Sequence, residues 1–220
     1  MAFGLSSGIH FCTANGQLTF LDANTGRYLA LSGPGGQAFR KLMAAEPLGD
    51  ADVNALMTLE ASGILTSSAA ADGTLAPTTA PQAQSDLSVE VPGFHPLLMT
   101  LALMAQIRMR RDVKHMTLAQ VLARIAQRRN RFPRRLVPKV CIRVAAAAFN
   151  NTRMLMTTQD QCLSWSLAML HYLMDLGIAA TLILGVRRTP WSAHAWVQQG
   201  EAVLSDNLDH VTHYTPILVV

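Results

Sequence analysis

Short apolar runs broken by Asn and Gly open the chain. "IHFCT", "QLTFLD" and "RYLALS" begin at residues 9, 17 and 27 and are separated by "ANG" and "ANTG", a pattern that predicts three short antiparallel strands. The period then changes. Phe39, Leu42 and Met43, and later Val53, Leu56, Met57 and Leu59, fall at helical spacing, so two helices are expected, the second with an Asp at its start as N-cap. Three strands with helices behind them predict a small winged-helix-like module over residues 1–65. Nothing in it looks catalytic, since Cys12 has no His or acid at a suggestive spacing.

The patterning lapses over residues 66–86, "TSSAAADGTLAPTTAPQAQSD". With almost no large apolar residue this stretch cannot cover a core, and it reads as a flexible linker between two domains. Helical periodicity returns over 97–111, 118–129 and 140–149, and again from Cys162, where Leu163, Ser166, Leu167, Leu170 and Leu173 share a face and Gly177 supplies a stop. Three strands are then expected, "AATLILGVRR", "SAHAWVQQ" and "AVLSDN". Helices followed by an antiparallel sheet define an α+β domain over residues 87–220.

Composition adds limits. Half of the 220 residues are hydrophobic, enough for substantial cores. The longest apolar run, "PLLMTLALMA", falls short of the roughly 20 residues that cross a bilayer. The three cysteines, at 12, 141 and 162, do not form a disulfide framework, and the first residues lack the look of a secretory signal, so a cytoplasmic location is expected, with no membrane partner. The net charge of +4 is concentrated: residues 108–143 hold 12 of the 18 basic side chains against one acid, Asp112. Such a stretch could grip a polyanion, but only Phe132 is aromatic there, and specific nucleic-acid binding is not expected.

Cys162 carries the chemistry. At the first turn of its helix, unpaired N–H groups and the helix dipole favour a thiolate, and the same N–H groups could serve as an oxyanion hole. A thiolate needs a proton carrier. His194 shares a strand face with Trp196, and the following strand ends at Asp206. Symmetry about Gly200 pairs position 194 with 206, which brings imidazole and carboxylate together on one face. Cys162, His194 and Asp206 thus form a candidate triad of nucleophile, base and orienting acid. Each residue alone has an ordinary structural explanation, but their joint placement favours the triad. His171 lies nine residues on, on the opposite side of the helix. Cys141 sits in "KVCIRV", an apolar stretch suited to burial. His210 and His213, with Asp206 and Asp209, suggest a metal site only weakly, and no metal is assigned.

The segment "DQCLSWSLAMLHYLMDLGIAATLILGVRRTPWSAHAWVQQGEAVLSDN" resembles the transglutaminase-like, papain-like cysteine peptidases that mature lasso peptides, the lasso peptide B proteins. Its "CL" at a helix start, "GV" strand, "HAW" strand and later Asp are that family's site, which implies Cys162 as nucleophile, His194 as base and Asp206 as orienting acid. "LDANTGRYLALSGPGGQAFRKL" looks like the PqqD-like leader recognition element fused to such peptidases. The resemblance implies cleavage of a precursor peptide between leader and core without a cofactor. It also implies a partner, an ATP-dependent cyclase that joins the freed core amine to a side-chain carboxylate. An extended leader peptide could add to the strand Arg27, Tyr28, Leu29, Ala30 and Leu31. A transglutaminase-type acyl transferase would use the same triad, and a peptide-binding adaptor would need none of it.

Overall fold

A computed structural model of the chain describes residues 3–67, 75–87, 95–131, 138–155 and 162–220, and these form two compact units, Met1–Thr78 and Thr79–Val220.

In the first unit, strands β1 (Phe3–Leu5), β2 (Ile9–Ala14), β3 (Gln17–Asp22) and β4 (Arg27–Leu31) precede helices α1 (Gly33–Met43) and α2 (Asp50–Ala61) and strand β5 (Leu65–Ser67). The sequence turns are used as expected. Asn15 and Gly16 both take positive φ, and this two-residue turn joins β2 to β3 with Ala14 opposite Gln17, because the twist of a tight hairpin suits residues that tolerate left-handed backbone. Asp22 holds the next turn, its carboxylate accepting from Asn24 N (2.8 Å) and Thr25 Oγ1 (2.7 Å). The sheet order is β2-β3-β4, so among the described residues β4 pairs with a strand on one side only. Phe11, Phe20 and Phe39 are buried against one another with ring centroids 5.0–5.7 Å apart. Burying each contributes about 1.5–3 kcal/mol, and this is the heart of the core.

Two expectations change here. The N-cap of α2 is Gly49 rather than an Asp; Asp52, three residues on, accepts Gly49 N–H at 3.0 Å and pairs with Lys41. Where it is described, the stretch expected as a linker over 66–86 is built into the units instead. Ser67 belongs to β5, which pairs with β1, Leu75 packs on the first core, and Thr78 N donates to Phe11 O at 3.2 Å. Residues 68–74 lie outside the described residues.

The second unit contains β6 (Ser85–Asp86), α3 (Pro96–His115), α4 (Leu118–Arg131), α5 (Lys139–Asn151), a 3-10 turn (Thr152–Leu155), α6 (Cys162–Asp175), β7 (Thr181–Arg187), β8 (Ser192–Gln199), β9 (Ala202–Val203), α7 (Leu208–Val211) and β10 (Thr215–Val219). Residues Thr79–Asp86 therefore begin this domain rather than link to it. Ala80 and Ala83 pack on the cluster that includes Trp196 and Tyr214, Gln198 Nε2 donates to Pro81 O at 2.8 Å, and β6 runs parallel to β9. The five-stranded order is β10-β7-β8-β9-β6. β10 pairs antiparallel with β7 and was not foreseen in the hydrophobic pattern.

Helix α6 is the buried centre of the unit: Trp165–Leu170, Tyr172 and Leu173 are all inaccessible. It stops as expected, with Gly177 at φ 74°, Gly177 N bonded to Met174 O (3.0 Å) and Ile178 N to Leu173 O (2.9 Å), the paired bonds of a Schellman stop. The basic helices partly serve the fold itself. Arg128 pairs with Asp175 of α6, Arg129 donates to Ala180 O, and Arg124 approaches Asp112 at 3.6 Å. Arg134, Arg135 and Phe132 lie outside the described residues. Cys141 is exposed, contrary to expectation, because α5 turns Ile142, Ala145, Ala146 and Phe149 inward while its first residues, 139–141, are exposed.

Candidate active site

Cys162 opens α6, and one turn on, at the helical spacing of four, buried Ser166 donates to Ala195 O of β8 at 2.8 Å. That bond locks the helix against the strand that carries His194. On the sheet, His194 lies opposite Gly185 of β7, and the rings of His194 and Trp196 are nearly parallel at 6.2 Å. Gly185 is required: a Cβ there would lie 2.8 Å from both Trp196 Cζ3 and Tyr214 Cβ. The missing side chain lets the two aromatic rings fill the sheet face beside the imidazole.

Asp206 reaches His194 by a different route from the one expected. The β8–β9 register pairs Gln198 with Val203 and Gln199 with Ala202 across a Gly200–Glu201 turn, one residue off symmetry about Gly200. Continued as a regular ladder it would put Asp206 on the wrong face. The ladder instead ends. Leu204 N still donates to Val197 O (2.8 Å), but Val197 N turns to Ser205 Oγ (2.8 Å), and the chain bends through Ser205. Asn150 Nδ2 holds Leu204 O at 3.0 Å and Arg153 holds Ser205 O at 2.6 Å. Arg153 in turn lies over the Trp165 ring. These bonds aim the carboxylate back, and Asp206 Oδ2 sits 2.5 Å from His194 Nε2. Sequence symmetry thus named the right pair by the wrong register.

Asp206 Oδ2 has a second partner. His210 Nδ1, on α7, lies 2.9 Å away, while Asp206 Oδ1 accepts Asn207 N–H at 2.8 Å. Behind His210 stand the Tyr214 hydroxyl, 3.5 Å from Nε2, and Ser192 Oγ, 3.3 Å from that hydroxyl. The spacing of Asp206 and His210, four apart at the start of a short helix, was the signal that could have found this contact. His213 and Asp209 do not join it. Among the described residues, His194, Asp206 and His210 are the set whose donor atoms gather within 4.8 Å, as a metal site would require, and those atoms already bond one another.

The electrostatics follow from this geometry. For Asp206, burial opposes ionisation, but hydrogen bonds from His194, His210 and Asn207 N–H overcome it and bring the carboxyl down to about 2. For His194, burial disfavours the cation, yet the hydrogen bonds to Asp206 and Cys162 and their charges raise it to about 9. Burial pushes the Cys162 thiol up; the hydrogen bond and charge of His194, with the Ala195 and Leu163 backbone groups, more than reverse this. Nε2 of His194 is committed to Asp206, which leaves Nδ1 for the thiol. A thiolate beside an imidazolium is a nucleophile with its proton already on the group that can return it to a leaving amine. Cys12, by contrast, is a core thiol that burial pushes to about 11.

The expected leader strand, Arg27 to Leu31, forms β4, whose outer edge carries no strand among the described residues. Leu29 is exposed and Leu31 packs partly on the core. Among the described residues no helix is long and apolar enough to cross a membrane. The family described as the transglutaminase-like superfamily matches residues 99–219. No curated protein and no solved structure matches the chain.

Proposed function

The chain belongs to the transglutaminase-like superfamily, and from that premise we propose that it is the leader peptidase of lasso peptide biosynthesis. The observation that carries the reading is the Cys162–His194–Asp206 constellation, with His194 Nε2 2.5 Å from Asp206 Oδ2 and the thiol beside the imidazole. The Cys162 thiolate adds to the carbonyl carbon at the junction of leader and core. The tetrahedral oxyanion collapses as His194 gives its proton to the departing core amine, which leaves the leader as a thioester on Cys162. Water, deprotonated by His194, then releases the leader acid and restores the thiol. No step calls for a cofactor.

The leader is held by the first unit, adding along the open edge of β4 at Arg27, Tyr28, Leu29, Ala30 and Leu31 by backbone hydrogen bonds. One chain carrying both binding and cutting elements raises the effective substrate concentration at Cys162 to the order of millimolar. The freed core passes to an ATP-dependent cyclase. Incubating the chain with a lasso precursor tests the reading by product mass. Wild type should yield leader acid and core with a free amine, and Cys162→Ala should yield neither. Leader joined to an added amine, with no acid, would identify an acyl transferase; uncut precursor with wild type would overturn the proposal.

A further inference from the structure

We propose that His210 is a positioning residue for the triad, acting through Asp206 to keep the carboxylate aimed at His194; this rests on the reading of Cys162 as the nucleophile. A carboxylate in the bend that follows β9 can rotate, and each rotation removes its oxygen from His194 Nε2. Three contacts oppose that rotation: Asn207 N–H on Oδ1 (2.8 Å), and His194 Nε2 (2.5 Å) and His210 Nδ1 (2.9 Å) on Oδ2. Only His210 is a side chain with no place in the proton transfer.

Its own placement is specified from its helix and from Tyr214, though its side chain is 42% exposed. The helix that carries it is capped by Asn207 Oδ1, which accepts His210 N–H at 2.9 Å, and is tied at Leu208 N to Asp86 Oδ2 at 2.7 Å. Tyr214 meets its ring edge-on, centroids 5.4 Å apart, with the hydroxyl 3.5 Å from Nε2. Ser192 Oγ donates to that hydroxyl, freeing the Tyr214 proton for Nε2. Because the Asp206 carboxylate only accepts, Nδ1 of His210 carries the N–H, which leaves Nε2 to accept from the Tyr214 hydroxyl. Ser192, Tyr214, His210 and Asp206 therefore form a line of donors ending on the triad carboxylate. Two donors on one oxygen share its charge, so His210 does not strengthen the pull on His194. It fixes its direction, as partners behind first-contact groups do at other sites.

The test needs no peptide substrate. Iodoacetamide alkylation of Cys162 is followed by peptide mass near pH 6, with exposed Cys141 as the internal reference, in wild type, His210→Ala and His210→Asn, each checked for an unchanged melting midpoint. An Asn amide nitrogen occupies the place of Nδ1. Wild-type Cys162 should react faster than Cys141; His210→Ala should slow it by about tenfold, the scale of one hydrogen bond to a charged group, and His210→Asn should restore most of the rate. Unchanged or faster alkylation in His210→Ala, or no rescue by Asn, overturns the role. Cys162 no faster than Cys141 in wild type overturns the nucleophile reading instead. If His210→Ala fails to fold, His210→Asn is compared with His210→Gln, whose longer amide reaches the place of Nε2; equal rates overturn the proposal.

Discussion

Replacing Asp206 by Asn removes the charge that holds His194 while keeping the shape of the side chain. Asp206 and His194 are both largely inaccessible, with side chains 16% and 14% exposed, so solvent does little to screen them. The carboxyl stands at about 2 against an ordinary 3.8, and at 1.36 kcal/mol per unit the ionised form is favoured by roughly 2 kcal/mol. The imidazole stands at about 9 against 6.5, but that larger displacement includes Cys162. Both contain the same ion pair, which is counted once, and the Asp206 figure, which also includes His210 and the Asn207 N–H, is an upper bound on the loss. At neutral pH this corresponds to a fall of up to about thirtyfold in kcat/KM. The sign of the pH effect follows. A raised His194 contributes stability below about 6.5 that is lost as pH rises through about 9, and a lowered Asp206 contributes stability above about 3.8 that is lost as pH falls through about 2. Wild type and Asp206→Asn should therefore differ most in melting midpoint between those limits and converge outside them. The high-pH limb of kcat/KM should move down in the variant. A variant within twofold of wild type, with an unmoved limb, would refute the assignment of Asp206 as the group that holds the imidazole.

Ser166→Ala should leave Ala195 O buried without its partner and loosen α6 from β8, at a cost of about 1–3 kcal/mol in stability and a larger fall in kcat than in KM; thermal melting and steady-state rates check it. Gly185→Ala should displace Trp196 and Tyr214, with a loss of about 1–3 kcal/mol read by denaturant titration, and activity should fall with it. Chains starting at Thr79 and at Ser88 should differ: the shorter loses Pro81 O···Gln198, Asp86···Leu208 N and the β6 pairing, about 3 kcal/mol at typical values. Equal melting midpoints of the two would show that residues 79–87 are linker after all.

The elements with strong local signals were legible. "ANG" made a hairpin because Asn15 and Gly16 accept positive φ, and Gly177 stopped α6 for the same reason. That Cys162 and His194 would lie together was legible, because a helix start and a strand face each restrict where a side chain points. What escaped depends on distant partners. β10 is a short apolar segment containing Pro216, recognisable as a strand only once β7 lies beside it. Residues 79–86 have linker composition, yet Pro81 O and Asp86 Oδ2 bond groups more than a hundred residues away. The hairpin register is decided by Gly200 and Glu201 as a two-residue turn, and the bend at Ser205 by Asn150 and Arg153. No pattern within "AVLSDN" encodes either.

We infer that the His194 imidazolium favours the thiolate form of Cys162. Ultraviolet absorbance of the thiolate, taken as wild type minus Cys162→Ser across a pH titration, measures it directly. The Cys162 signal is expected below that of an ordinary thiol, lowered by the hydrogen bond and charge of His194, and His194→Ala should move it upward. A single transition at the ordinary thiol value, unmoved by His194→Ala, would contradict the account.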